Sequence, residues 1–411
     1  MSARKNYDGP AFLSFGFRPF FLAACLCALL AVPVWMLIWL GELEFNGPFL
    51  ASDWHSHEMI FGYGAAVVAG FLFTAVPNWT GRMPARGWPL AALLGLWLLG
   101  RLALAGWLRL PPLGVMAVDC SFLAAVAVMI AREIIAGENW RNLKVLVPVV
   151  LLGLANALFH IEAMTEGVAD VSRRLGLAVL IFLIMLIGGR IVPSFTRNWL
   201  AKQAVSRMPV PFGRFDAACL AAGAAALLAW VLAPWAAVTG ALLLAAGLLH
   251  TLRLSRWRGL AAMSDPLLFM LHAAYAMVPA GLLAAGAVPF GLLEPAAAVH
   301  LLGIGAIGGM TLAVMMRAAM GHSGRALAAG PVLTAAFALV LGAAGLRAAG
   351  TGLLAAGWDG ITLSAVFWTA GFALMALRTG PWLVTRRLGP KRASGAPDAA
   401  AKSGPGTPPA A

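Results

Sequence analysis

Long apolar runs alternate with short polar segments along almost the whole chain. Each run is dominated by Leu, Ala and Gly and has the length of roughly 20 residues that an α-helix needs to cross a bilayer. The runs lack the period-two alternation of membrane β-strands, and a backbone in hydrocarbon must satisfy its own hydrogen bonds. The pattern therefore predicts an all-α polytopic integral membrane protein with about twelve transmembrane helices. The predicted spans are 18–41, 54–77, 88–108, 111–131, 143–163, 173–195, 215–233, 235–252, 264–288, 294–320, 327–350 and 358–380.

The spans follow one another without a linker long enough to separate two domains. We therefore expect one transmembrane domain over residues 1–390. Residues 391–411 are rich in Ala, Pro, Gly and Ser and show no apolar periodicity, so they are predicted to form a disordered cytoplasmic tail.

Composition and charge support the membrane assignment. Hydrophobic residues make up 61% of the chain and charged residues 11%, which excludes an ordinary soluble globule. The net charge of +13 would suit a nucleic-acid partner, but the charges are segregated by loop. With a cytoplasmic N-terminus, 24 of the 29 basic residues lie on the cytoplasmic side, which predicts both termini inside and no nucleic-acid partner. The remaining basic residues lie on the opposite side: Arg101, Arg109, Arg173, Arg174 and Arg347.

All seven histidines lie within or at the ends of predicted spans, where ionisable side chains are costly and tend to mark a site. On this topology the outer group is His55, His57, His160 and His300, and the inner group is His250, His272 and His322. His300 and His322 are about 33 Å apart along one helix, so the two groups cannot share a metal. Neutral imidazole binds haem iron, copper and zinc, and we expect the outer group to ligate metal or haem. Hydrogen-bonded packing is the alternative, and it has more weight for the inner group.

Two carboxylates accompany the outer histidines. Glu58 follows His55 by three residues, so it lies on the same helix face and is a candidate acceptor for the second ring N–H. Stabilisation by the helix dipole is the alternative role of Glu58, and Asp53 is expected to be an N-cap. His57 points to nearly the opposite face from His55. Asp119 lies within a span and is a candidate for a proton path, with hydrogen-bonded packing as the alternative.

Other polar and sulfur-containing residues have more than one interpretation. In the stretch "LIGGRIVPSFTRNWL", Arg190 and Arg197 are candidates to bind haem propionates or lipid phosphates, or to anchor the helix end by snorkelling. The cysteines Cys25, Cys27, Cys120 and Cys219 all lie in spans and are expected to act as small apolar residues without disulfides. Cys25 and Cys27 are alternatively candidates for soft copper ligands, but two residues apart on a helix they point about 200° apart, which disfavours a shared metal.

Three stretches resemble the signature sequences of the NnrS family of bacterial inner-membrane proteins: "WHSHEMIFGYGAAVVAGFLFTAVPNWTG", "GGRIVPSFTRNWL" and "HLLGIGAIGGMTLAVMMRAAMGHSG". The resemblance runs from "FRPFF" at 17–21 to the twelfth predicted span. It implies a haem- and copper-containing membrane protein linked to nitric oxide and denitrification that protects against nitrosative stress, with no assigned reaction. The positions that would inherit metal or cofactor roles are His55, His57, Glu58, Arg190, His300 and His322.

Two classes of function follow, with membrane lipid and nitric oxide as the expected partners. In the first, a haem or copper site binds nitric oxide or handles electrons; in the second, the histidines and Asp119 line the path of a metal or haem transporter. A distant relative of the haem–copper oxidases and nitric oxide reductases would also have twelve spans. Such an enzyme would place histidine ligands on the sixth and seventh spans, which have none here. An electron donor and the oligomeric state stay open.

Overall fold

The computed structural model describes residues 7–388 except 353 and 356. Within this part, eleven helices are long and apolar enough to cross a membrane, and one shorter apolar helix accompanies them. They are α1 (Phe17–Trp39), α2 (Ala51–Thr80), α3 (Trp88–Leu104), α4 (Pro112–Ala136), α5 (Trp140–Thr165), α6 (Val171–Lys202), α7 (Arg214–Leu232), α8 (Ala237–Ser255), α9 (Pro266–Phe290), α10 (Pro295–Ser323), α11 (Gly330–Gly352) and α12 (Gly360–Val384). Each of the twelve predicted spans therefore contains a helix.

The helix ends follow local sequence signals. The Asp265 carboxylate accepts a hydrogen bond from the Leu268 N–H at the start of α9, and Asp359 does the same for Thr362 at the start of α12. At the other end, Gly81 terminates α2 with φ of 69° and Gly324 terminates α10 with φ of 77°. These left-handed conformations favour glycine and terminate the two helices.

The shortest span, α3, has 17 residues where the hydropathy pattern predicted 88–108. It ends at Leu104 because Gly106 adopts φ of 78° and turns the chain back toward the loop between α1 and α2. At about 1.5 Å per residue it is roughly 26 Å long, slightly less than the hydrocarbon core of a bilayer.

Helices that follow one another in sequence pack side by side, and α12 packs against α1, so the two ends of the chain's helical part meet. The buried core runs through the interior of this bundle. Outside the helices, the described residues form only short 3₁₀ turns and a small antiparallel pair, Leu354–Ala355 with Trp358–Asp359, between α11 and α12. The predicted all-α polytopic fold is confirmed. The sidedness of the termini stays a prediction, and the predicted tail 391–411 lies outside the described residues.

Three segments of the bundle are π-helical: Glu58–Gly64 in α2, Ile184–Gly188 in α6 and Leu301–Gly308 in α10. A π-helical turn widens the helix and is rare except near functional sites. Helix α2 packs against α1, α4 and α6, and α10 packs against α6, α9 and α11. The widened turns of α2 and α10 thus lie in the interior of the bundle, next to the polar side chains described below.

Candidate metal centre and histidine cavity

Two histidines and one aspartate converge from three helices at one end of the bundle. His57 of α2 and His160 of α5 place their Nε2 atoms 3.2 Å and 3.1 Å from Oδ2 of Asp119 in α4. One ligand atom from each of the three side chains lies within 4.8 Å of the others. All three residues are buried. Two imidazoles and a carboxylate form a compact donor set of the kind that binds a transition metal.

Asn156 connects the members of this group. Its amide donates to Asp119 Oδ2 over 2.8 Å, and its carbonyl oxygen lies 2.8 Å from His57 Nε2. Asn156 precedes His160 by four residues in α5, so both side chains lie on the same helix face. Because Asn156 Oδ1 is an acceptor, it holds the His57 ring with the proton on Nε2 in the metal-free protein.

Arg101 of α3 bridges the two carboxylates. Its Nη1 lies 3.0 Å from Oε1 of Glu58, and its Nη2 donates to Oδ1 of Asp119. The second oxygen of Glu58 lies 3.7 Å from the Cys27 thiol. Two carboxylates face one guanidinium, so the group carries one unbalanced negative charge when both carboxylates are ionised and both imidazoles are neutral. Burial makes such a charge costly, and a bound cation would balance it. We call the set of His57, Glu58, Arg101, Asp119, Asn156 and His160 the Asp119 cluster.

Aromatic rings cover the Asp119 cluster on the side of the imidazoles. The Phe49 ring lies 5.4 Å from the ring of His57 and 5.0 Å from that of His160. The rings of Phe61 and Phe159 pack on His57 at 5.0 Å and 5.1 Å. This cover keeps bulk water away from the carboxylate and strengthens every electrostatic interaction within the cluster.

His55 lies on the other face of α2 and lines a separate space. This histidine cavity has an empty volume of about 950 Å³, including its mouth, and lies among α1, α2, α6, α10, α11 and α12. The residues that matter most for its chemistry are Trp35, His55, Tyr63, His300, Arg347 and Trp368. The His55 ring stacks on Trp35 at 5.0 Å with an interplanar angle of 20°. The cavity is thus an aromatic-walled space with an imidazole on each of two helices.

The His300 ring is held in one tautomer. Its Nδ1 lies 2.7 Å from the Ala296 carbonyl oxygen, which can only accept, so Nδ1 carries the proton. The neutral ring therefore keeps a lone pair on Nε2, the form in which imidazole binds a metal. On His55, the buried Nδ1 has no hydrogen-bond partner among the described residues.

Two arginines lie at the cavity mouth, Arg173 of α6 and Arg347 of α11. Arg173 Nη2 donates to Asp170 over 2.6 Å, and its Nη1 lies 3.6 Å from Asp53. Burial opposes ionisation of Asp170, but hydrogen bonds and charges from Arg174 and Arg173 outweigh it and lower the pKa of this carboxyl. The expected N-cap role of Asp53 is wrong: Leu50 is the cap residue, and Asp53 accepts from the Ala169 N–H and orients Arg173.

The family model described as NnrS protein matches residues 11–387, nearly the whole chain. The chain belongs to the NnrS family. A comparison with curated proteins gives no match.

In this NnrS family member, the four histidines predicted as an outer group form two pairs rather than one cluster. His57 and His160 contact Asp119, whereas His55 and His300 line the histidine cavity. Glu58 contacts Arg101 and Cys27, so the expected hydrogen bond from His55 to Glu58 is replaced by an ion pair. A role in ligation stays a prediction for all four histidines.

The three histidines of the inner group have different partners. His250 contacts the Tyr275 hydroxyl at 2.9 Å and the Cys219 carbonyl at 3.1 Å. His272 contacts the Thr196 hydroxyl at 2.8 Å. His322 packs on the rings of Phe15 and Phe17. Each has contacts that account for a packing role, and the structure does not bring the three together.

Arg190 and Arg197, the arginines suggested for propionate binding, lie toward the far end of α6 from Arg173. Both are exposed, and Arg197 donates to the Pro209 carbonyl over 3.0 Å. Arg190 is about 25 Å from Arg173 along the helix, out of reach of a ligand in the histidine cavity. Arg173 and Arg347 line that cavity, so they are the arginines that an anionic group of a bound ligand would reach.

Sequence reasoning missed four residues of these sites: Arg101, Asn156, Arg173 and Arg347. The sequence did contain a signal for the arginines. Five basic residues lie on the side of the membrane that is predicted to carry few positive charges, and three of these five belong to the two sites. Asn156 gave a weaker signal, as an amide one turn before His160 in an apolar helix.

Proposed function

We propose that this NnrS family chain is a haem- and copper-binding protein of the bacterial inner membrane that acts in the response to nitric oxide. The observation that carries the proposal is the divergence of His55 and His57 into two sites with different donor sets. One site is a cavity lined by aromatic side chains, and the other is a compact set of three ligand atoms. Two cofactors of different size are what the family resemblance implies.

Copper fits the Asp119 cluster by its chemistry. Imidazole nitrogen is a good copper ligand, and the carboxylate of Asp119 adds a charged oxygen next to both rings. A cation there would offset the negative charge that Arg101 leaves unbalanced. Arg101 and Asn156 would hold Asp119 in place, so that the metal is bound by a carboxylate of fixed orientation.

Haem fits the histidine cavity by its walls and charge. Trp35, Tyr63 and Trp368 supply aromatic faces against which a macrocycle could pack. Arg173 and Arg347 at the mouth would hold the propionates through charge-assisted hydrogen bonds. His300, with its lone pair on Nε2, is the best candidate to bind the haem iron, and His55 is the second. Bound ferrous haem would supply a site for nitric oxide wherever one axial position is open.

The test is to purify the protein from membranes, record its optical spectrum, and measure its iron and copper content. His55→Ala and His300→Ala are expected to lower haem content and leave copper in place. His57→Ala and His160→Ala are expected to do the opposite. His250→Gln is the control, because His250 is buried and hydrogen-bonded but lies outside both sites.

Two results would contradict this division. A colourless protein that holds no haem after reconstitution would favour a transporter of metal or haem, which is the alternative class. Loss of both cofactors in each of the four variants, with normal amounts of protein in the membrane, would mean that the two sites are not separate.

A further inference from the structure

A second cavity lies deeper along the same helices. This apolar cavity has an empty volume of about 780 Å³, including its mouth, and is lined by α2, α5, α6 and α10. Its lining includes Val68, Phe71, Val149, Ile187, Met310 and Thr311. Thr311 is the one lining residue with a polar side chain, and its hydroxyl is hydrogen-bonded to Tyr63 and to the Ile307 carbonyl. No polar group is therefore left in the lining to hold water.

The two cavities share a wall one side chain thick. Ile307 of α10 lines both. Tyr63 lines the histidine cavity and is hydrogen-bonded to Thr311, which lines the apolar cavity. Gly64, the residue after Tyr63, lines the apolar cavity too. Movement of Ile307, or rotation of the Tyr63 ring, would connect the two spaces.

All three π-helical segments of the described chain border these cavities. Glu58–Gly64 and Leu301–Gly308 contribute residues to both, and Ile184–Gly188 contributes to the apolar cavity. π-Helical turns are uncommon, so three of them around one pair of cavities is an organised feature rather than a packing defect.

We propose that the apolar cavity binds a small apolar gas molecule taken up from the bilayer and passes it to the histidine cavity beside Ile307. Thr311 follows His300 by a helical distance of about 16 Å, roughly half the thickness of the hydrocarbon core. Apolar gases concentrate in that region of the membrane. A dry, apolar protein cavity binds such molecules, including xenon, because they lose no hydrogen bonds on entering it.

A lipid acyl chain is the competing occupant. A groove for a lipid chain has no need of a thin wall shared with a ligand site, and this shared wall is what favours a gas. The proposal that the cavity binds a gas depends only on the cavity itself. The proposal that the gas is delivered to the histidine cavity rests on the function proposed above.

Gas binding is tested with xenon, followed by ¹²⁹Xe NMR of the purified protein without added cofactor. Val314→Trp fills the apolar cavity, which Val314 lines, and is expected to abolish saturable xenon binding. Val128→Trp is the matched control, because Val128 is 67% exposed on the outside of α4. The absence of saturable binding in the native chain, or its persistence in Val314→Trp, would overturn the site. So would a co-purifying lipid that Val314→Trp alone displaces.

Delivery is tested by flash photolysis of carbon monoxide from the reduced, haem-loaded protein. Val314→Trp fills the apolar cavity, and Val314 does not line the histidine cavity, so this variant is expected to slow rebinding several-fold with an unchanged Soret band, and Val314→Ala is expected to speed it. Equal rates in all three proteins would overturn delivery and leave the proposed function intact. A protein without a Soret band would overturn delivery together with the proposed function, while the xenon result would still decide the gas site.

Discussion

His55 and His57 are separated by one residue in α2 but belong to different sites. The His57 Nε2 lies 3.2 Å from Asp119 in the buried cluster, whereas the His55 ring stacks on Trp35 and lines the histidine cavity. Residues two apart on a helix point about 200° apart, so a single turn can serve both sides. The π-helical segment begins at the next residue, Glu58. The two sites are thus held at a fixed separation by one turn of backbone.

The ion pairs of the Asp119 cluster are expected to stabilise the fold as well as to shape the site. Asp119→Ala removes the partner of Arg101 and of both imidazoles. Arg101 keeps Glu58 as its partner, but the Asn156 amide and both imidazoles lose the acceptor that they share, and leaving buried donors unsatisfied costs about 1–3 kcal/mol. We expect a loss of this size in the free energy of unfolding, measured in mixed detergent micelles.

Glu133→Ala is the matched control for Asp119→Ala. Glu133 is paired with Arg82 over 2.8 Å, but the two side chains are 26% and 41% exposed. An exposed pair of this kind contributes about 0–1 kcal/mol. Equal losses of unfolding free energy in Asp119→Ala and Glu133→Ala would show that the contacts of Asp119 stabilise the fold no more than an exposed ion pair does.

The fold could be predicted from the sequence because hydrophobic length is a local property. Every predicted span contains a helix, including α3, which glycine shortened. The position of each histidine along its helix followed from the same pattern. Their pairing did not follow, because it depends on how each helix is rotated and which helices are neighbours. His300 shares a cavity with His55 only because α10 and α2 both face the interior there.

The role of Arg101 was hidden for a related reason. In the sequence, Arg101 is a basic residue near the end of a short apolar span. An arginine that snorkels to the membrane surface would occupy the same kind of position, so the sequence does not distinguish the two roles. In the structure it turns inward, because Glu58 and Asp119 on neighbouring helices both face it. Gly62 leaves the space for it, since a Cβ at that position would lie 2.5 Å from Arg101 Nη1.

The sidedness of the bundle is predicted by its charge distribution and can be tested by cysteine labelling. Glu44→Cys lies in the exposed loop between α1 and α2, and Gln203→Cys is exposed just after α6. With both termini in the cytoplasm, a membrane-impermeant maleimide added to spheroplasts should label Glu44→Cys and should label Gln203→Cys only after lysis.

The unmodified chain is the control for labelling, since its described cysteines are free and three of the four are buried. The opposite labelling pattern would place both histidine sites on the cytoplasmic side of the membrane. It would leave their geometry unchanged but would remove the argument that they face the periplasm.

Filling the histidine cavity tests its assignment without touching a ligand. Gly303 lines the cavity, and a Cβ there would meet no atom within 4 Å. Gly303→Phe is therefore expected to occupy the space proposed for haem, to lower the haem content strongly, and to leave copper unchanged. Optical absorbance and elemental analysis of the same sample measure both.

Gly345→Phe is the matched control for Gly303→Phe. Gly345 is an exposed helical glycine of α11 that also has open space around its Cβ position. It should keep both cofactors. Full haem content in Gly303→Phe would exclude this cavity as the haem site and direct attention to other surfaces of the bundle.

Nitric oxide is expected to bind directly to the reduced, haem-loaded protein. Ferrous haem with imidazole ligands takes up nitric oxide when an axial position is open or a weak ligand leaves. Of the two candidate ligands, His300 has its ring fixed by the hydrogen bond to Ala296, whereas His55 has no hydrogen-bond partner on Nδ1 among the described residues. We therefore expect nitric oxide to shift the Soret band, and we expect His55→Ala to retain that shift in whatever haem it holds. His300→Ala should lose the haem and the shift together.

In cells, the same reasoning predicts that a strain lacking the protein grows poorly under nitric oxide and normally without it. Expression of the His300→Ala variant should fail to restore growth, and expression of His250→Gln should restore it, because His250 lies outside both sites. Consumption of nitric oxide by the purified protein with an electron donor would establish an enzyme rather than a binding protein. A Soret band unmoved by excess nitric oxide would exclude direct binding, and a growth defect that persisted alongside it would assign the protein to transport or regulation.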